Sequence, residues 1–304
     1  MSFMSILKTL LGIILLLTSC ARLHIDNPGF LNPVTLDDKE SPTTVETGSQ
    51  EFFVAHNFIP LIIKTYSIPT LPPLVSWQIQ YSGDIDLDLN VEVYNLDLFE
   101  TSSAAIQQLH QRKIFVMCYF SAGTYEDWRP DASQFPSDVL GNEVDGWQGE
   151  RWLDIRQIEK LTPIMNARLD LAVQKGCDGV DPDNVNGYEN DSGFALTAED
   201  QLIYNRFLSY AAHEHNLAVG LKNDLHQVEG LVSNFEWIIN EECFTYQECV
   251  LLNPFIEAGK PVFVIEYDLA PENFCPQAVQ LGFNALQKHK ELDAYRLDCR
   301  KFVR

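Results

Sequence analysis

The chain has 304 residues, 46% of them hydrophobic, and carries 43 Asp and Glu against 21 Lys and Arg, a formal net charge of −22. That balance excludes nucleic acid as a partner, because phosphate recognition needs Lys and Arg. It suits a cationic ligand, which a negative cleft concentrates, although the same charge also serves plain solubility.

In chain order, an export signal comes first. Lys8 is the only charge in the first twenty residues, and the apolar run Leu10–Leu17 is shorter than a membrane span needs. Residues 1–19 therefore read as a signal peptide. The tetrapeptide Leu17-Thr18-Ser19-Cys20 resembles a bacterial lipobox. Cys20 would then be lipidated and hold a bacterial envelope lipoprotein at the membrane without spanning it. The alternative is a plain signal peptide that carries a cysteine. Residues 20–73 read as a lipidated, flexible tether and N-terminal extension. Asn, Pro, Thr and Asp dominate it to Glu51, an apolar patch runs over 52–63, and prolines follow at 69, 72 and 73.

From Leu74 the pattern changes. Short apolar runs at Val75–Ile79, Val91–Leu98, Ile114–Phe120, Asp178–Val180, Ala218–Leu221, Phe235–Ile239, Val262–Ile265 and around Phe283–Leu286 predict strands. Helical periodicity separates most of them. Ile158, Leu161, Met165, Leu169 and Ala172 mark one helix face, and Ile203, Phe207, Tyr210 and Ala211 another. Thr197, with Asp200 three residues on, predicts a capping box. Eight such units over residues 74–304 predict an α/β fold of the (β/α)₈ TIM-barrel type. No Gly-rich dinucleotide or phosphate fingerprint follows a strand, no HExxH or GxSxG motif occurs, and no cofactor or metal site is expected. An Asp84-Asp86-Asp88 triplet lacks the glycine and bidentate Glu of a calcium loop.

One connection, 121–156, breaks the rhythm with Trp128, Pro130, Pro136, Trp147 and Trp152 among many Asp and Gly residues. It reads as a long functional loop on the catalytic face. Tyr119, Tyr125, Trp128, Trp147 and Trp152 are candidates to stack on sugar rings.

Six cysteines remain after Cys20. Cys243 and Cys249 could close a small loop, and Cys275 and Cys299 could tie the last helix to the tail. Cys118 and Cys177 fall on strands, where burial as free thiols is the plain reading.

Several strands run from apolar residues straight into carboxyl or amide groups. Asp97, Asp181, Asp183, Asn184, Asn223, Asp224, Glu241, Glu242, Glu266 and Asp268 stand at such ends, where barrel enzymes carry their reactive groups. Glycoside hydrolysis takes two carboxyl groups, one donating a proton and one ionised. Glu241 is the candidate acid, and Asp181 and Asp183 compete for the other role. Pro182 between them leaves open that one only caps a turn.

The segments CYFSAGTYEDWRPD (118–131), GWQGERWLDIR (146–156), CDGVDPDNVNGY (177–188), GLKND (220–224), NEECF (240–244) and VIEYD (264–268) resemble the endo-α-1,4-polygalactosaminidase family of glycoside hydrolases. The resemblance runs from about Trp77 to the C-terminus. It implies a TIM-type barrel, endo-acting cleavage of α-1,4-linked, galactosamine-rich polysaccharide, and catalytic carboxylates in the Asp181–Asn184 segment and at Glu241. The family favours Glu where this chain has Asp181. Asp183 is therefore favoured as nucleophile and Asp181 as a supporting group. Tyr119, Trp128, Trp152, Asn184, Lys222, Asn223 and Glu266 are the expected substrate contacts, with Lys222 either bonding a sugar hydroxyl or pairing with neighbouring carboxylates. A galactosamine polymer is cationic where deacetylated, which agrees with the acidic balance. Two rivals remain: a carbohydrate-binding envelope lipoprotein without catalysis, and a metal-dependent phosphodiesterase.

Overall fold

The computed structural model describes residues 67–303. The leader, Cys20, the tether to residue 66 and the apolar patch at 52–63 lie outside them. Strand β1 (Trp77–Gln80) passes to β2 (Val93–Asp97) without a helix, and α1 (Ser103–Gln111) leads to β3 (Phe115–Ser121). An excursion forms β4 (Thr124–Glu126), β5 (Leu140–Val144) and β6 (Trp147–Leu153). Then come α2 (Ile158–Lys175), β7 (Gly179–Asp183), α3 (Ala198–Glu214), β8 (Ala218–Lys222), α4 (Val228–Leu231) and β9 (Trp237–Glu241). The chain continues through α5 (Asn253–Glu257), β10 (Val262–Glu266), α6 (Pro271–Gln280), β11 (Asn284–Gln287), the short β12 (Leu297–Asp298) and α7 (Cys299–Phe302).

The main sheet has the order β1-β2-β3-β7-β8-β9-β10-β11-β12. Its first eight strands pair in parallel, and β12 pairs antiparallel with β11. This is the expected TIM-type barrel. Side chains stitch its first strand to its last. Trp77 Nε1 donates to the Asn284 carbonyl at 2.9 Å, and Asn284 Oδ1 accepts from Val75 N at 2.9 Å. Lys288 Nζ donates to Gln78 Oε1 at 3.1 Å, and Arg296 Nε to the Trp77 carbonyl at 2.8 Å.

Both faces of a parallel sheet are buried, so alternation sorts the residues into two cores. Trp77, Ile79, Val93, Met117, Ala218, Trp237, Ile239, Phe263, Ile265 and Leu286 fill the inside, joined by Ile68 and Leu71 from the segment before β1. Tyr94, Leu96, Val116, Phe120, Val180, Leu221, Ile238 and Val264 face the helices. Trp237 lies across its neighbours so closely that a Cβ on Gly220 would sit 2.0 Å from the indole Nε1, and one on Gly179 2.6 Å from its ring. Two glycines on β7 and β8 thus make room for one large side chain.

Helix α3 starts on the expected capping box: Asp200 N donates to Thr197 Oγ1 and Thr197 N to Asp200 Oδ2. The 121–156 connection differs from expectation. It is a three-stranded antiparallel sheet of order β4-β6-β5 rather than a loop. Asp145-Gly146, with Gly146 at φ 80°, makes the two-residue hairpin turn that brings Val144 opposite Trp147; positive φ at the second central residue of a turn favours Gly there.

The Cys243–Cys249 and Cys275–Cys299 bridges are present. Cys118 and Cys177 are not free thiols: they form a third disulfide spanning 59 residues of sequence. Cys118 is on the helix-facing side of β3 and Cys177 follows the end of α2, so barrel packing brings the two sulfurs together.

Candidate active site

The C-terminal ends of the strands open into a cleft of about 770 Å³. Counting by two from the inward apolar residues gives its floor. Val93, Asn95 and Asp97 share one parity on β2, and Met117 and Tyr119 on β3. Gly179, Asp181 and Asp183 follow the same rule on β7, as do Gly220 and Lys222 on β8, Trp237, Ile239 and Glu241 on β9, and Phe263, Ile265 and Tyr267 at β10. Beyond β7, β8 and β9 the next residues turn away in the left-handed conformation: Asn184 at φ 61°, Asn223 at φ 53° and Glu242 at φ 64°. For residues other than glycine this costs free energy and is characteristic of functional sites.

The centre is an ammonium held by carboxylates. Lys222, buried, places Nζ 2.9 Å from Asp183 Oδ2 and 3.6 Å from Glu241 Oε2. Burial opposes the charge, but Asp183, Glu241 and Asp181 outweigh it and keep the amine protonated. Of the two roles expected for Lys222, pairing with carboxylates is the one observed. The Tyr267 hydroxyl donates to Glu241 Oε1 at 2.6 Å, and Glu241 N to Asn223 Oδ1 at 3.0 Å. Asp181 lies beneath, fully buried. Its Oδ2 accepts from Asn95 Nδ2 at 2.7 Å and from the Tyr81 hydroxyl at 3.3 Å, while Oδ1 has no hydrogen-bond partner among the described residues. Burial pushes its carboxyl up to about 6 against the pull of Lys222. Tyr81 stacks on Tyr119 with ring centroids 4.4 Å apart.

A second network braces Asp183 from the side. Asn184 N donates to Asp183 Oδ1 at 2.7 Å, and its Nδ2 donates to Ser121 Oγ, Thr124 Oγ1 and Glu150 Oε1 at 3.0–3.1 Å. Burial pushes Glu150 up to about 7, partly offset by the Thr124 hydroxyl. Arg129 spans Glu126 at 2.8 Å and Asp97 at 2.8 Å at the same wall.

The cleft contains Tyr119, Trp128, Trp147, Asp183, Asn184, Lys222, Asn223 and Glu241 from the expected set, with Glu242 at its rim. Trp128 is 49% exposed and Trp147 60%, which leaves flat apolar faces open to a ligand. Two expected substrate contacts are corrected. Trp152 is buried and packs on Gly187. Glu266 has outward parity, with Val262 and Val264, so its carboxylate accepts from Phe244 N at 2.8 Å and Thr245 Oγ1 at 2.7 Å outside the cleft. Tyr125 packs edge-on against Phe135. Asp268 pairs with Lys290 at the surface. Sequence reasoning missed Tyr81, Asn95, Glu150 and Tyr267. The same count by two would have found Asn95 and Tyr267; Tyr81 and Glu150 arrive from other elements.

The cleft wall is acidic: among the described residues Asp97, Glu100, Glu126, Glu150, Asp183, Glu241, Glu242 and Glu291 line it against Arg129, Lys222 and Lys290. Two carboxyl groups beside a protonated amine, below exposed indoles, are the set that glycosidic cleavage uses, one as the acid that donates a proton and one ionised as the attacking group.

The model of glycoside-hydrolase family GH114 matches residues 64–304. The crystal structure of Aspergillus fumigatus Ega3 in complex with galactosamine is similar at 38% identity, covering 78% of this chain and 99% of that one, with a TM-score of 0.72. The glycoside hydrolase domain of PelA from Pseudomonas aeruginosa shares the fold at 13% identity and a TM-score of 0.59, covering 73% of this chain and 97% of that one. None of the curated proteins compared matches.

Proposed function

The chain belongs to glycoside-hydrolase family GH114, and from that premise we propose that it cuts α-1,4-linked galactosamine-containing polysaccharide internally, with Asp183 and Glu241 as the reacting pair. One observation carries the assignment: both carboxylates approach the same Lys222 ammonium, at 2.9 and 3.6 Å, at the base of the cleft. The similarity to Ega3, a structure in complex with galactosamine, and the acidic wall support an aminosugar substrate.

Distances of that size to one nitrogen hold the two oxygens within about 6.5 Å of each other, which favours retention of configuration. In that scheme Asp183 attacks the anomeric carbon while Glu241 gives its proton to the departing oxygen. Glu241 then takes a proton from water, whose oxygen displaces Asp183 from the sugar. Lys222, 2.9 Å from its Oδ2, holds Asp183 in place. Asp181 acts from below, through Asn95, Tyr81 and the field at Lys222, as a positioning residue.

The test is mass spectrometry of products from deacetylated polymer, with proton NMR of the first anomer formed. Asp183→Asn and Glu241→Gln should each lower turnover by at least about 10²-fold without loss of fold. If either variant keeps wild-type turnover, the pair is wrong. The non-catalytic rival predicts binding with no oligosaccharide released.

The same proposal includes anchoring at the cell envelope through Cys20, motivated by Leu17-Thr18-Ser19-Cys20. Cys20→Ser should move the protein from the membrane fraction to the soluble one; unchanged partition removes the anchor.

A further inference from the structure

Inside the barrel, below the cleft, two polar atoms have no hydrogen-bond partner among the described residues: Asp181 Oδ1 and Trp237 Nε1. Both side chains are fully buried, and a buried polar group left unbonded is costly. One atom is an acceptor, and the other can only donate. Strand register sets them on one layer. Val180 pairs with Val219, which puts Asp181 opposite Gly220, and Gly220 pairs with Trp237. Asp181, Gly220 and Trp237 thus form a row across β7, β8 and β9, and the middle position has no side chain. We propose that an ordered water molecule is bound between the Trp237 indole N–H and Asp181 Oδ1, and that Trp237 is through it a positioning residue for the carboxylate beneath the reacting pair.

The geometry of the row supports a bridge. The Nε1 corner is the part of the indole nearest β8, because a Cβ on Gly220 would be 2.0 Å from Nε1 and 2.7 Å from Cδ1 and Cε2. The far end of the ring, Cη2, reaches Gly179, where a Cβ would be 2.6 Å away. Asp181 follows Gly179 by two residues and therefore stands on the next inward layer of β7. Adjacent strands are about 4.8 Å apart, too wide for one hydrogen bond. Two bonds of about 2.8 Å that meet at a water oxygen span about 4.5 Å. The second carboxylate oxygen is already committed. Oδ2 accepts from Asn95 on β2 and from Tyr81 just after β1, strands on the other side of β7 from Gly220 and Trp237 in the sheet order. That leaves Oδ1 for the side of β8 and β9. A buried water with a donor and an acceptor to join has the partners it needs. Asp181 is one of three carboxylates that act on the Lys222 ammonium, so an indole that fixes its orientation also fixes the field under Asp183 and Glu241.

Two measurements test the bridge, and neither depends on turnover, so their failure is distinct from failure of the hydrolase reading. A crystal structure at high resolution should show a water within hydrogen-bond distance of both Trp237 Nε1 and Asp181 Oδ1; no water bonded to both would overturn the proposal. The second readout is the indole N–H resonance of Trp237 in nitrogen-edited NMR. The chain has five tryptophans, and the Trp237 signal is identified as the one lost in Trp237→Phe. Burial pushes the Asp181 carboxyl up to about 6. Lys222 on β8, Asp183 on β7 and Glu241 on β9 act on it, Tyr81 bonds it and Tyr119 is opposite it on β3. The indole signal should therefore shift as pH rises through about 6, when the carboxyl loses its proton and the water turns to donate to Oδ1. In Asp181→Asn the same signal should stay flat. A Trp237 signal that does not move in the wild type, or one that still titrates in Asp181→Asn, would sink the bridge.

Discussion

Lys222 faces three carboxyl groups in a buried setting, and Asp181, Glu150 and Asp224 all bind protons more tightly in the fold than in the open chain. Glu150 shows the consequence for stability. Its value rises from 4.5 to about 7 on folding, so the folded state holds the proton more tightly. Below pH 4.5 this group costs nothing. As pH climbs through the window up to about 7, stability falls, by on the order of 2–3 kcal/mol for this group. Asp181 and Asp224 add in the same direction over their own ranges. Glu150→Gln keeps an oxygen to accept from Thr124 and Asn184 but has no proton to lose. Its melting temperature should fall less steeply between pH 5 and 8 than the wild-type value. Parallel slopes would mean that Glu150 does not titrate as its burial demands.

At the scale of elements, parity along the strands decides what reaches the cleft. The apolar runs and their endings were readable in the sequence, and so were the barrel, the α3 cap and the pairing of a β7 acid with Glu241. Glu266 misled because it ends an apolar run like Glu241 does, but with the opposite parity. Trp152 misled because composition does not say which face of β6 a ring occupies. Tyr81 and Glu150 were out of reach, since only tertiary packing brings the residue after β1 and the middle of β6 to the same floor. The Asp145-Gly146 turn, in contrast, was a readable sign that the 121–156 segment is sheet. Parity also ties Trp237 to its glycines. Gly220→Ala puts a methyl where the indole already is, and should cost about 1–3 kcal/mol or more. Adding Trp237→Phe should restore part of that loss. A Gly220→Ala protein that melts with the wild type would show that the indole has room to move.

For the whole molecule, charge and shape point the same way. A net charge of −22 and an acidic cleft wall should attract a polycation over distances that salt cuts short, from about 30 Å at 0.01 M ionic strength to a few ångströms near 1 M. Rising sodium chloride should therefore raise KM for deacetylated polymer and leave KM for fully acetylated polymer nearly flat. Equal salt dependence for both would remove long-range attraction from the account. Three disulfides among the described residues persist in an oxidising environment, which agrees with the envelope location proposed above.

The stitching of β1 to β11 and to Arg296 governs the order in which the molecule can be made. A ribosome delivers Trp77 more than two hundred residues before the side chains that hold its strand in place. Until residues 284–300 emerge, Trp77 and Ile79 have an unfinished wall beside them, so a nascent chain is exposed to misassembly until the end of synthesis. Nonsense mutations near residue 290 should then be as damaging as ones in the middle of the gene, although every carboxylate at the cleft's base would already have been translated.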